Sequence, residues 1–367
     1  MFNKMMIRGL LAAVLVASAV AVQADVFQMP TGQTSLETVW VADTKNAADT
    51  TVMNDSTTGY GKVDYAYQMG TYEVTNAQYT QFLNAKLPDI TVLTNDTFGL
   101  YNSGMGASTY GGISYTSGAA SGAKFAAKSG YENRPVNYVS WYDSLRFANW
   151  LQNGQGAVST ESGTYTIDDG GPNSGTVTIP TAEVRASWDN AHKHWVLPSE
   201  NEWYKAAYYD PNKVGGAGYW LYPTKSNDAP YSDNPASLAF PTNSANYRNN
   251  DGLANGYNDG YAVGSPYLTN VGAYASSSSP YGTFDQGGNV WEWNEADFSS
   301  RAVCGLRGGS FNGNTLYLAS SSRYYNKPAG EDYDLGFRVA SVPEPSSFAM
   351  LAVGAIGLMG WAWRRRK

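Results

Sequence analysis

The chain of 367 residues holds one cysteine, Cys304, and two histidines, His192 and His194. A lone cysteine excludes any disulfide within the chain. Two histidines exclude any site that needs three imidazoles. Charge is scarce as well: 15% of the residues are Asp, Glu, Lys or Arg, the net charge is −7 and the pI lies near 4.9. That balance argues against nucleic acid and anionic membrane surfaces as partners. Long apolar runs stand at the two ends of the chain. Near the start, Lys4 and Arg8 precede the run from Gly9 to Val22, and Val22-Gln23-Ala24 ends it with small residues. Such a run is short for a membrane span, and residues 1–24 are expected to be a cleaved signal peptide.

At the other end, Pro343-Glu344-Pro345 precede an apolar stretch from Phe348 to Trp363, closed by Arg364, Arg365, Arg366 and Lys367. As a helix the stretch would reach about 24 Å, against a bilayer core of about 30 Å. The basic cluster should stay cytoplasmic and halt export. Together these features resemble the PEP-CTERM sorting signal, expected over residues 342–367. The resemblance implies a Gram-negative bacterium that makes extracellular polysaccharide, with 348–363 passing transiently through the inner membrane. It also implies cleavage by an exosortase and release to the cell envelope or outside.

What the mature chain does have is aromatic and flexible residues: 28 Tyr, 11 Trp and 39 Gly, in a composition 43% hydrophobic. That mixture suits a loop-rich fold that buries aromatics between tight turns. Three helix starts share one pattern, a capping residue followed three positions later by a side-chain acceptor: Thr75 and Gln78, Ser140 and Asp143, Ser199 and Glu202. Glu200 and Glu202 are two apart on the third helix, point to different sides, and are therefore read as capping residues rather than a catalytic pair. Residues 164–167 and 176–179 flank DDGGPNSG and predict a hairpin. Residues 102–130 and 226–280 are rich in Gly, Ser, Asn and Tyr and predict long loops. His192 and His194 are expected on an exposed loop. No repeat or linker divides residues 25–341, which predicts one domain.

Six segments in order, MGTYEVTNAQYTQFLNA (69–85), RPVNYVSWYDSLRFANWL (134–151), VLPSENEWYKAAYY (196–209), GGNVWEWN (287–294), LRGGSF (306–311) and LGFRVA (335–340), resemble the sulfatase-modifying factor family, also called the formylglycine-generating enzyme domain. The resemblance covers roughly residues 36 to 341. It implies an α+β, C-type-lectin-like fold with a few helices around short twisted sheets. Alternation along GNVWEW predicts Trp291 and Trp293 in the core, with Glu292 free to face a loop. Arg307 and Arg338 are expected to brace loops.

The oxidases of that family use two cysteines shortly after GGS[FYW] to hold copper, a job for soft thiolates. Here those positions fall at about Gly313 and Leu318, and neither residue can ligate copper. Cys304 precedes the element and reads as a small buried hydrophobe. Related sulfoxide synthases of the ergothioneine type need a three-histidine iron site, which two histidines cannot make. What the resemblance keeps is calcium, held by hard oxygen donors on loops. A first set would be the Asn246 and Asp259 side chains with the carbonyls of Tyr247 and Tyr261. A second would be the Asp285 and Glu292 side chains with the carbonyls of Gly288 and Val290. The expected function is an exported, non-catalytic module that binds a glycan, a peptide or a matrix component. The alternative is an oxidoreductase of the same family acting on a protein or small molecule, and a third reading is a structural biofilm protein.

Overall fold

The computed structural model describes residues 35–188, 193–232, 234–237, 242–249, 267–298 and 302–342. Both terminal segments read above as signal and sorting tail lie outside these residues. No helix among the described residues is long and apolar enough to cross a membrane.

Eight short strands build two four-stranded sheets. In chain order they are β1 (Thr38–Val41), β2 (Tyr67–Gly70), β3 (His194–Val196), β4 (Trp291–Asp297), β5 (Cys304–Arg307), β6 (Tyr324–Asn326), β7 (Leu335–Gly336) and β8 (Ala340–Val342). The first sheet is antiparallel throughout, in the order β1-β2-β8-β3, so the last strand sits between early and middle ones: Ala340 pairs with both Met69 and Val196. The second sheet has the order β6-β5-β4-β7, with β4 and β7 parallel. Three helices, α1 (Asn76–Lys86), α2 (Trp141–Gln152) and α3 (Glu200–Tyr208), pack against the sheets. The mixed, loop-rich architecture is the one expected.

Each helix begins as its sequence predicts. Thr75, Ser140 and Ser199 each accept a hydrogen bond from the backbone of the third helical residue, whose own side chain accepts from the cap backbone. These reciprocal bonds satisfy N–H groups left without partners in the first turn, and a cap of this kind contributes about 1 kcal/mol. The faces then meet in one aromatic cluster. Tyr79 and Phe82 of α1 contact Phe147 of α2 at centroid separations of 6.0 and 5.4 Å, and Phe337 closes the group 5.4 Å from Phe147.

Three expectations need correction. Residues 102–130 are not all loop: a short helix, Ser103–Ala107, is followed by a two-stranded sheet of Ile113–Tyr115 and Phe125–Ala127. Ile113 and Phe125 are buried there, so a pair of apolar anchors organises a segment that reads as loop by composition. The predicted hairpin forms as Thr166–Asp168 with Thr176–Thr178; Tyr165 leaves it because its backbone N–H donates to Asn149 Oδ1. His194 starts β3, half-buried and stacked on Trp188 at 4.2 Å, while His192 lies outside the described residues.

The cap of α2 carries an unusual charge arrangement. Asp143 uses Oδ2 for the cap, but its buried Oδ1 has no partner among the described residues. Burial pushes Asp143 up to about 7, against the pull of its Ser140 bonds and Arg146, and Asp96 adds to the rise. Burial pushes Glu331 up to about 8, with Asp143 and Asp96 adding to it and Asn102 and Asn173 opposing. Both carboxyls therefore hold a proton in the folded state that the unfolded chain releases near pH 4 to 5. Stability from this pair is complete below that range and is lost as pH rises toward 8. Glu331→Gln should flatten the decline between pH 5 and 8 by up to about 1.4 kcal/mol per pH unit, read by denaturant melts across that range. An unchanged pH profile would show that Glu331 is ionised throughout.

Candidate functional site

A cleft of about 440 Å³ opens on the second sheet, lined by strands β4 to β7 and by the turn that follows β5. Its floor begins with Trp291, the first residue of β4, which is only 7% exposed. Tyr324 of β6 stacks on that indole with centroids 5.2 Å apart and planes at 24°, and Tyr317 meets it edge-on at 5.4 Å. Tyr325 lies nearly parallel to Tyr324, 5.9 Å away. Polar groups share the same walls: Arg248, Ser310, Asn312, Asn326, Asp332 and Asp334. Ser310 donates to Asp334 Oδ2 at 2.9 Å, and Asn312 Nδ2 donates to the Tyr333 hydroxyl at 2.7 Å. Burial raises the Asp334 carboxyl above the usual range, with the Ser310 bond opposing the rise.

The GGSF turn creates this wall. Gly309 has φ +75°, and a Cβ there would stand 2.9 Å from Leu318 Cδ1 and 3.0 Å from Tyr317 Cβ. Only a glycine lets the turn close that tightly. Gly313 lines the cleft; Leu318 ends a single turn, Thr315–Leu318, and is fully buried. Cys304 begins β5, 1% exposed, paired with Asn326 of β6. These are the places where the thiol argument fixes attention.

Beneath the cleft the strand turns to charge. Expected to face a loop, Glu292 is instead completely buried. Its Oε2 accepts from Arg338 Nε at 2.6 Å and from Trp203 Nε1 at 2.7 Å, while Oε1 accepts from Arg338 at 2.7 Å. Sequence alternation placed Glu292 opposite the two tryptophans correctly, but both faces of β4 are covered, so the opposite side is interior too. Arg338 also donates to the carbonyls of Gly70, Thr71 and Phe284. Arg307 braces in the same manner, bonding Glu200 and the carbonyls of Ser320 and Ser322.

The remaining calcium candidates are scattered in role. Asn246 is buried, donating through Nδ2 to the Tyr267 carbonyl at 2.8 Å and to Asn289 Oδ1 at 3.2 Å. The Tyr247 carbonyl accepts from the Ser232 hydroxyl. Asp259 and Tyr261 lie outside the described residues. Asp285, held at φ +60°, accepts from the Gly272 N–H at 2.6 Å. Burial pushes its carboxyl up to about 6, against the Gly272 bond and Arg338, with Glu292 adding to the rise. Gly288 has φ +90° and a Cβ there would lie 2.2 Å from the Asn246 carbonyl oxygen, which ties the two candidate sets to one crowded turn. Next to it, Val290 is fully buried. A gap of about 10 Å³ borders Asp285, Gln286, Thr224 and Ser244, room for one water-sized occupant. Glu292, Gly288 and Val290 do not line it. Among the described residues, no group of three or more acidic, His or Cys side chains is arranged to hold a metal. The donor set therefore fits a calcium ion only in part, and no chemical step is routed through one.

Sequence reasoning missed Glu73. Both its carboxylate oxygens are buried without a partner among the described residues, and burial, Asp285 and Glu292 together drive its carboxyl well above the ordinary range. It also missed the tyrosines of the cleft, whose signal, Tyr324-Tyr325 on an edge strand, is indistinguishable from core aromatics in one sequence.

Glu292→Gln should cost about 3–5 kcal/mol, because it leaves the Arg338 guanidinium buried without its anion. Melts with and without chelator separate this from metal loss: a penalty equal in both belongs to the ion pair. A penalty that appears only with calcium present would instead make Glu292 a metal ligand.

The sulfatase-modifying factor enzyme 1-like domain matches residues 22–342, and the PEP-CTERM protein-sorting motif matches residues 341–367. That motif implies export and sorting to the Gram-negative cell envelope by an exosortase. No curated protein matches. Solved structures that resemble the fold include the Treponema denticola variable protein 1, at 21% identity and TM-score 0.48, covering 86% of this chain and 98% of that one. PvdO from Pseudomonas aeruginosa is similar at 15% identity and TM-score 0.47, covering 84% and 95%. CarF is similar at 17% identity and TM-score 0.45, covering 84% and 98%.

Proposed function

We propose that this chain, which belongs to the sulfatase-modifying factor enzyme 1-like domain family, is an exported ligand-binding module that does not carry out the family's oxidation. One observation carries the reading. At the turn where the family's oxidases place two thiols, Gly313 opens onto a roomy aromatic and polar cleft, and the chain's single cysteine is buried in β5. Two sulfurs are needed to hold Cu(I), and one sequestered thiol does not supply them. What supports binding is the cleft itself: its volume of about 440 Å³ lies within the ~300–1,000 Å³ range of small-molecule sites. Three tyrosines at its edge remain between 39% and 53% exposed.

Calcium is part of the same reading by family resemblance: Asn246 and Asp259 with the Tyr247 and Tyr261 carbonyls would hold one ion, and Asp285 and Glu292 with the Gly288 and Val290 carbonyls a second.

The purified full chain should leave the cysteine of a sulfatase-type peptide unoxidised, with or without copper. Stoichiometric formylglycine, detected as the peptide's mass change, would overturn the non-catalytic reading. Cys304→Ser should be equally inert and within about 1–2 kcal/mol of the parent in stability.

The tail has its own test. Replacing Glu344, or the cluster from Arg364 to Lys367, should leave uncleaved chain in the inner membrane, seen by fractionation and intact mass. Normal release of both variants would show that sorting does not depend on these residues.

A further inference from the structure

We propose that the cleft binds a neutral oligosaccharide, with Tyr324 and Tyr317 as stacking surfaces and Asp332, Asn312 and Asn326 as partners for its hydroxyls. The inference rests on reading the cleft as a binding site and names the class of ligand it takes.

Three features of the walls select that class. Exposed apolar side chains are few in this protein, yet Leu316, Tyr317, Tyr324 and Tyr325 cluster at this one place, exposed by 72%, 39%, 48% and 53%. A local concentration of exposed rings marks a contact surface. The rings are also ordered. Tyr324 is backed by Trp291 on one side and aligned with Tyr325, so its plane is fixed before any ligand arrives. A flat apolar ring with a fixed plane suits the C–H face of a pyranose, and ordering it beforehand lowers the entropy lost on binding.

The polar side chains supply the second feature. Asp332, Asn312 and Asn326 carry planar groups: Asn312 donates to the Tyr333 hydroxyl and Asn326 Oδ1 accepts from the Lys327 N–H, which leaves the Asn312 oxygen, the Asn326 amide nitrogen and the Asp332 carboxylate to a ligand. Neighbouring hydroxyls on a sugar present donors and acceptors to match. Asp332 is exposed and its carboxylate makes no hydrogen bond among the described residues.

Charge is the third. Two acids, Asp332 and Asp334, face one base, Arg248, and Asp334 is already bonded to Ser310. Among the described residues the walls have no strong excess of either sign, and the whole chain carries −7, which repels acidic polymers. A cationic ligand finds one basic group in its way. A peptide bound by strand addition would have only the short edge strands β6 and β7 to pair with, three and two residues long.

The test titrates the full chain, in detergent, with short neutral gluco- and manno-oligosaccharides, with uronic-acid oligomers and with an unstructured peptide of similar length. Calorimetry gives the affinity, and tryptophan fluorescence, summed over the chain's eleven indoles, gives a second readout. Neutral oligosaccharides should bind, and Tyr324→Ala and Asp332→Ala should each weaken binding by about tenfold or more, the scale of a central contact. Both residues are exposed, so folding is checked by an unchanged melt, and Val214→Ala, 97% exposed and outside the cleft, serves as the control. Saccharide binding that both cleft variants leave intact would overturn the site. Preference for uronic acids or peptide, lost in Tyr324→Ala, would overturn the ligand class while sustaining the cleft as a binding site. No binding of any neutral oligosaccharide would overturn the proposal, and the cysteine-oxidation assay reports on the underlying reading separately.

Discussion

Arg338 and Glu292 hold this fold together. The guanidinium reaches Glu292 on the second sheet, the carbonyls of Gly70 and Thr71 at the end of a first-sheet strand, and the Phe284 carbonyl in a loop. One side chain thus joins both sheets and the irregular chain between them, in a place with no exposure to water. Burying such a pair costs desolvation, and the attraction offsets that cost only because every donor has an acceptor. With most strands only two to four residues long, backbone ladders alone give little cross-linking. A satisfied buried arginine supplies it.

Buried arginine pairs recur, although Arg185 keeps its Nε without a partner among the described residues. Arg185 pairs with Glu202 at 2.6 Å and with Glu295, and Tyr65 donates to the other Glu202 oxygen. Glu202 also caps α3, so one carboxylate joins a helix start, a short helix and a loop tyrosine. Glu200 joins Arg307 to Arg323. In a chain with 15% charged residues, twelve Asp, Glu, Lys and Arg side chains are buried among the described residues. The carboxylates near Arg338 are the exception. Glu73, Asp285 and Glu292 share its field, and burial together with Asp285 and Glu292 raises the Glu73 carboxyl well above its ordinary range.

How much of this could be read from the sequence depends on whether the signal was local. Capping residues act within one turn, so Thr75, Ser140 and Ser199 announced their helices, and the strand period around Trp293 announced the core. Long-range partners left no such mark. Nothing near Glu292 indicates Arg338, forty-six positions away, and the reading of Glu200 and Glu202 as simple caps understates them, since both also hold arginines. Ile113 and Phe125 are the buried anchors of a two-stranded sheet, in a segment whose composition hides them. Asp285 and Glu292 were assigned to calcium by motif, and their burial beside Arg338 is a property of the folded chain alone.

The cleft follows from the same strand that anchors the core. Side chains alternate along β4, so Glu292 points into the ion pair while Trp291 points to the cleft floor. Fixing one fixes the other. Tyr324 stacks on that indole, and the Tyr208 hydroxyl holds the Leu318 carbonyl at 3.1 Å from beneath the opposite wall. The two positions discussed for thiols lie on this supported turn, one lining the cleft and the other filled by a buried leucine. Neither position is independent of its surroundings: a Cβ at Gly313 would stand 3.0 Å from Tyr317 Cδ2, and Leu318 packs in a buried cluster with Tyr222, Ala245 and Tyr247. The residue at the first position therefore sets how closely a cleft ring can approach the turn, and a glycine there lets Tyr317 stand beside Trp291.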